Sequence, residues 1–362
     1  MDKEQQILDI IRANPTISQL DLAKKVGVSS SVIASYLATL VKKGRIKRNA
    51  YGFSDRSTII CIGGANIDRK IYGKQKLLFG TSNPATLSES CGGVARNISE
   101  NLSRLGFDVI LLTGVGDDKE GQWLIEETKK QGIDVSQVWS LEGKRTGTYT
   151  ALLEYDGEMV ISFANMEIYE DITSGMIEKK WRHIASAFMV VLDTNLSPDC
   201  LAYIIERCRK EEIPLYINLV SFEKAKRLPS CLQGVEAILS NREEAEVLSN
   251  MKIETVEDYR SAALNIHAQG VKQVVITLGK DGIFYSGTEG NIHIPSIKTD
   301  VIDVTGAGDS FVAGFVFGIL QKNTMIKACK LGLAAAHLTL QTKDSVSTEL
   351  NKSKLYTLVG GE

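Results

Sequence analysis

Residues 3–42 carry apolar positions at helical spacing, in three groups. Ile7, Ile10 and Ile11 share one face of a helix over 3–13. It ends at Asn14-Pro15, because the residue before a proline is pushed out of the helical region. Thr16, with Gln19 three residues on, reads as a capping box for a second helix over 17–26 with Leu20, Leu22 and Val26 apolar. Gly27-Val28 turns the chain. Ser29 caps a third helix, 30–42, expected to bury Val32, Ile33, Leu37, Leu40 and Val41. A two-stranded ribbon over 43–53 and a polar linker at Ser54–Ser57 follow. From Thr58 the period changes. Short continuous apolar runs at 59–62, 109–112, 189–192, 215–217, 237–239 and 273–277 have the form of buried strands. Helical stretches at 96–105, 120–131, 198–210 and 256–268 fall between them. Strands alternating with helices predict an α/β domain with a doubly wound, mostly parallel sheet covered on both faces. Segments 146–151 and 159–163 flank Asp156-Gly157, a hairpin signal. With 71–78 they predict a smaller sheet over a pocket, so that lid strands fall near 69–90 and 145–165. Two domains are expected, 1–55 and 57–362.

Composition narrows the class. Of 362 residues, 43% are hydrophobic and 24% charged, as in soluble globular chains. No apolar stretch approaches the ~20 residues of a bilayer span, and the start lacks a basic, then apolar, secretory pattern. The expectation is a cytoplasmic protein without a membrane partner. The six cysteines, at 61, 91, 200, 208, 231 and 329, form no C-x-x-C pair and do not cluster with the four histidines at zinc spacing; they read as reduced core thiols. The net charge of −2 hides a split. Residues 1–56 hold ten basic and five acidic residues, net +5, and the remainder 32 against 39, net −7. The two parts are expected to do different jobs.

The segment richest in chemistry is Asp303-Val304-Thr305-Gly306-Ala307-Gly308-Asp309-Ser310-Phe311, which opens an apolar helix. Its glycines permit a tight turn. The N–H groups of Gly306, Ala307, Gly308 and Asp309 would converge at a helix N-terminus, where the dipole favours an anion. A carboxylate beside such a nest, Asp309, is placed to take a proton from a hydroxyl attacking phosphorus. No G-x-x-x-x-G-K-[ST] phosphate loop and no G-x-G-x-x-G before a helix occurs.

This segment resembles the C-terminal signature of the PfkB, or ribokinase-like, carbohydrate kinases. Gly92-Gly93-Val94-Ala95-Arg96-Asn97 resembles their glycine signature, and Gly63-Gly64-Ala65-Asn66-Ile67-Asp68 their first sugar-contacting turn. Asn241-Arg242-Glu243-Glu244 resembles their N-x-x-E motif, and Thr277-Leu278-Gly279-Lys280-Asp281-Gly282 a nucleotide-contacting loop. The five motifs stand in the family's order. The resemblance implies a ribokinase-like fold with a β-sheet lid, ATP and Mg²⁺ as cofactors, and phosphorylation of a hydroxymethyl group. Asp309 is then the base, with Gly306, Ala307 and Gly308 as anion hole. Asn66, Asp68, Gly92, Gly93 and Asn97 hold substrate hydroxyls. Asn241 and Glu244 organise Mg²⁺ through water, and Thr277, Gly279 and Gly282 lie along the nucleotide. Asp303, Thr305 and residues 343–347 form a monovalent-cation site, K⁺ in the family. Val304 replaces a frequent threonine of the signature; this removes a hydroxyl near the phosphates, leaves the base and nest intact, and departs from the family pattern at the cation site. Residues 82–102, 166–173 and 218–226 resemble the pseudouridine kinases within the family. That resemblance implies the 5′-hydroxyl of pseudouridine as acceptor; other nucleosides, ribose and hexoses stay open. Lid sheets of the family pair, which implies a homodimer.

The N-terminal pattern resembles the winged helix-turn-helix of bacterial transcription factors, an all-α unit with a basic ribbon. The resemblance implies DNA as a partner of residues 1–55. Ser30, Ser31, Ala34, Ser35 and Thr39 would face the major groove, and Lys42, Lys43, Arg45, Lys47 and Arg48 the phosphates. A regulator using the kinase domain as a ligand sensor is the alternative to an enzyme.

Overall fold

The computed structural model describes residues 3–14, 17, 19–42 and 58–360. The chain divides into two compact units, Met1–Ser57 and Thr58–Glu362.

In the first unit, helices α1 (Lys3–Ala13), α2 (Gln19–Val26) and α3 (Ser30–Lys42) close on a small core of Ile7, Leu8, Ile11, Ile17, Leu22, Ala23, Ile33, Leu37 and Leu40. Gly27, at φ 72°, makes the turn between α2 and α3, and Ser29 Oγ accepts from the Val32 amide at 3.4 Å. Val32 itself is exposed, not buried as its apolar character predicts. Ala34 and Ser35 face solvent and Thr39 is half-buried. The Thr16 cap, the 43–53 ribbon with Lys43, Arg45, Lys47 and Arg48, the 54–57 linker, and the side chains of Ser30, Ser31, Val41 and Lys42 lie outside the described residues.

In the second unit the apolar runs become neighbours in one sheet. Its parallel strands are β1 (Ile59–Ile62), β4 (Val109–Leu112), β9 (Met189–Asp193), β10 (Leu215–Asn218), β11 (Val235–Asn241) and β12 (Gln273–Thr277). An antiparallel pair, β13 (Ile283–Gly287) and β14 (Gly290–Ile294), extends one edge, giving the order β14-β13-β12-β11-β10-β9-β1-β4. Successive side chains alternate between two cores, as strand geometry requires. Ile60, Ile62, Val190 and Leu192 meet α6 (Ser174–Ser186), α7 (Pro198–Lys210), α9 (Arg242–Ser249) and α10 (Val256–Ala268). Ile59, Cys61, Met189 and Val191 meet α4 (Val94–Arg104), α5 (Lys119–Lys130), α11 (Ala307–Leu320) and α12 (Met325–Leu340). The short α8 (Phe222–Ala225) follows β10, and α13 (Lys352–Val359) packs on a third cluster with Phe317 and Leu331.

The lid is a four-stranded sheet, β3-β2-β7-β8, built from β2 (Asn66–Gly73), β3 (Ala85–Gly92), β7 (Thr148–Leu153) and β8 (Met159–Asn165). It is antiparallel except for the β2–β7 pair. A further small pair joins β5 (Gly114–Gly116) to β6 (Trp139–Leu141). Among the described residues no helix is long and apolar enough to cross a membrane.

Candidate active site

The site lies where the parallel strands end, the usual place for ligands in open α/β sheets. Strand β9 ends in Asp193, whose buried carboxylate ties three turns together. Its Oδ2 accepts from the amides of Gly64 (2.8 Å) and Ala95 (3.0 Å), and its Oδ1 from that of Asn195 (2.8 Å). The Tyr169 hydroxyl donates to the Ala65 carbonyl at 2.5 Å and accepts from the Ala65 amide at 2.8 Å, fixing the β1–β2 turn again.

Beyond that turn, Asn66 Nδ2 donates to Asp68 Oδ1 at 2.6 Å. Gly92 pairs with Asn66 across the lid. A Cβ on Gly92 would stand 2.0 Å from Asp68 Oδ2, so only glycine leaves room for this carboxylate. Gly93 starts α4 at φ 100°, where a Cβ would meet the Ala65 backbone at 2.4 Å. One turn into α4, Asn97 Nδ2 donates to Asp309 Oδ2 at 2.9 Å. The Asn97 amide is itself oriented by Arg96, whose Nη1 donates to Asn97 Oδ1 (3.3 Å) and to the Cys91 carbonyl (3.1 Å). Glu100 holds the same guanidinium at 2.5 Å.

Asp309 sits in the first turn of α11 and is 9% exposed. Gly306 precedes the helix at φ 78°, and a Cβ there would fall 1.9 Å from the Ser345 carbonyl oxygen. The amides of Gly306, Gly308 and Asp309 donate to no protein group among the described residues, while that of Ala307 bonds the Val304 carbonyl at 3.3 Å. The sequence expectation of four converging N–H groups is therefore corrected at Ala307, where the loop turns back on itself. Around Gly308 there is open space, and a cavity of about 190 Å³ opens on it, lined by Asp309, Asn241, Glu244, Thr277 and Asn218.

On the opposite wall Asn241 caps α9. Glu244 N donates to Asn241 Oδ1 (2.9 Å), and Glu244 accepts from Asn241 N (2.9 Å) and Nδ2 (3.0 Å). No group of three or more His, Cys, Asp or Glu is set to hold a metal among the described residues. The oxygen-rich pair 241/244 fits a hard divalent ion held through water. Thr277 Oγ1 donates to the Ser240 carbonyl at 3.2 Å. Gly279 and Gly282 do not line the cavity. Gly279 has open space about it, whereas Gly282, at φ 95°, lies against the Ile294 carbonyl oxygen, 2.0 Å from where a Cβ would stand. Asp303 is engaged twice. Its Oδ1 accepts from Thr305 N (2.9 Å) and Oγ1 (2.7 Å), and its Oδ2 pairs with Lys70 of the lid.

Burial pushes the Asp309 carboxyl up to about 7, against the Asn97 bond and with help from the charges of Asp193 and Asp68. Burial likewise raises Asp68 to about 6 and Glu244 to about 7, and raises Asp193. Burial opposes ionisation of Asp303 too, but the Lys70 and Thr305 donors outweigh it and hold that carboxyl below its ordinary range. Asp193 and Lys70 went unnoticed in the sequence, and Arg96 and Tyr169 stood within the resembling segments without a role of their own. Asp193 had a signal, as the first polar residue after the run Met189–Leu192; Lys70 had none.

A buried carboxylate beside free helix-start amides is an arrangement that phosphoryl transfer can use. Residues 56–351 match the model of the pfkB family carbohydrate kinases. The chain belongs to the PfkB family. It is a kinase for a sugar- or nucleoside-type alcohol acceptor, with a ribokinase-like fold. Residues 2–47 match the winged helix-turn-helix DNA-binding family. The uncharacterized sugar kinase YeiI of Escherichia coli (strain K12) is 30% identical over 93% of this chain and 93% of its own length. The pseudouridine kinase of the same organism is 31% identical over 84% of this chain and 97% of its own. The solved structure of a carbohydrate kinase from Agrobacterium tumefaciens, 29% identical, superposes with a TM-score of 0.74, covering 84% of this chain and 97% of that one.

Proposed function

We propose that this PfkB kinase transfers the γ-phosphoryl group of MgATP to the 5′-hydroxyl of a nucleoside, pseudouridine before others. The observation that carries the reading is the Asp309 carboxylate, buried on one wall of the cavity beside Gly308, at a helix start where the amides of Gly306 and Gly308 are free. As the acceptor oxygen bonds to the γ-phosphorus, its proton passes to Asp309. The bond from phosphorus to the β,γ-bridging oxygen breaks, and ADP leaves with the electron pair. The free amides hold the migrating oxygens. Asn97 keeps the carboxylate aimed. Asn66, Asp68, Gly92 and Gly93 shape the acceptor subsite, whose paired donors and acceptors suit vicinal hydroxyls. Thr277 and the turn bearing Gly279 and Gly282 follow the nucleotide. Asn241 and Glu244 hold Mg²⁺ through water, and the ion when bound neutralises phosphate charge. Pseudouridine rests on the three resembling segments and on the 31% identical relative of that name. ADP release with pseudouridine, uridine, inosine, ribose and fructose decides it: pseudouridine should have the highest kcat/KM, and a ribose or hexose in that place refutes the nucleoside assignment.

Two partner readings accompany this. The exposed apolar residues of the lid, Leu87, Met159, Ile161 and Phe163, favour a homodimer through that sheet; sedimentation of the full chain as a monomer at micromolar concentration refutes it. The net charge of +5 over residues 1–56 and the helix-turn-helix match favour DNA as a partner. Turnover on no acceptor, with ligand-dependent DNA binding, would favour the sensor role over the enzyme.

A further inference from the structure

The family resemblance places a monovalent cation at Asp303. The Asp303 carboxylate of that site is already engaged. An ion held by this carboxylate needs an oxygen turned toward it, yet Oδ1 already accepts two bonds from Thr305 and Oδ2 carries the Lys70 ammonium. Lys70 lies on β2 two residues after Asp68, hence on the same face of the lid. Its side chain is 20% exposed. Its charge also acts on Asp68, opposing the effect of burial on that carboxyl. Three buried carboxylates, Asp68, Asp193 and Asp309, crowd this end of the sheet, and the Lys70 charge favours the ionised form of the first of them. An ammonium carries the same single charge as K⁺ in a compact head group, and here it is tethered.

We propose that the Lys70 ammonium takes the place of a monovalent cation at Asp303, so that the lid strand itself braces the loop leading into the Gly306–Asp309 nest and phosphoryl transfer needs no K⁺. Because Asp68 and Lys70 share one strand, seating of the acceptor and bracing of the nest are coupled through β2.

The proposal rests on the kinase reading for its rate assay but not for its melting assay. The full chain and Lys70→Met are melted without nucleotide, in KCl or in tetramethylammonium chloride at equal ionic strength. ADP release is then followed in the same two salts with the best acceptor. The wild-type melting temperature and kcat/KM are expected to be equal in both. Lys70→Met is expected to be slower by about tenfold or more in tetramethylammonium. It should recover rate, and gain ~2–4 °C in melting temperature, as K⁺ fills the vacated position. Lys70→Gln, which keeps a hydrogen-bond donor without the charge, stands in if the methionine variant does not fold. Wild-type stabilisation or activation by K⁺ overturns the proposal. So does a variant that remains indifferent to K⁺ in both measurements. If no acceptor is turned over, the kinase reading fails by itself, and the melting comparison still decides the cation question.

Discussion

Replacing Asp309 by Asn should destroy turnover and stabilise the fold, and the two effects have one cause. Burial, with the neighbouring charges of Asp193 and Asp68, pushes Asp309 from its ordinary 3.8 up to about 7. The folded protein therefore binds a proton there that the unfolded chain gives up earlier. Stability from this group is fully present below pH ~4 and is lost as pH rises through about 7. Three pH units at ~1.4 kcal/mol each set an upper limit of ~4 kcal/mol on the destabilisation above pH 7. Asparagine is isosteric and carries no charge, and its carbonyl oxygen still accepts from Asn97 Nδ2. At pH 8 the variant should melt higher than wild type by ~2–8 °C for a domain of this size. The gap should shrink as pH falls toward 5, where wild-type Asp309 is protonated. Calorimetric scans of both proteins from pH 5 to 8 measure it, beside ADP release, which should drop by about 10²–10⁴. A variant that melts no higher at pH 8, or by a margin independent of pH, refutes the buried, charge-crowded carboxylate. Near-normal turnover refutes the base.

In wild type, kcat/KM should fall at least about tenfold per pH unit below ~7, as protonation of Asp309 removes the base and protonation of Glu244 and Asp68 adds to the loss; a flat profile down to pH 5 contradicts this assignment. Gly306→Ala should lower stability by about 2–4 kcal/mol, because a residue at φ 78° must then place a Cβ 1.9 Å from the Ser345 oxygen, and urea melts measure it. Glu244→Gln keeps a capping-box partner for Asn241 and, by removing a second carboxylate that burial disfavours, should melt no lower than wild type at about pH 8. It should need about tenfold more Mg²⁺ for half-maximal rate; an unchanged Mg²⁺ requirement removes Glu244 from the metal's surroundings.

Much of this protein was legible along the chain. Six apolar runs became the six parallel strands, since a strand buried on both faces has few ways to be anything but apolar. The glycine-rich start of α11 announced the nest, because Gly306 must adopt a left-handed backbone at a position that only a small residue can take. The mostly polar β14 and the polar β3 left weak traces; their pairing is supplied by neighbours rather than by burial. Strand β13 was overlooked although Ile283, Phe284 and Tyr285 are a buried run. Helix α6 was overlooked although Ile177, Trp181 and Ile184 repeat at helical spacing behind the Thr173 cap.

Local sequence, then, determined the elements, the two-domain division of charge and the residues able to bind an anion, because burial and backbone dihedrals are settled by near neighbours. Only tertiary structure decided how Asn97 comes to touch Asp309, how Asp193 staples three separate turns, and that Lys70 reaches Asp303. Those contacts join residues more than a hundred positions apart in some cases. They are fixed by how the lid and helices pack over the sheet, which no short window of sequence contains.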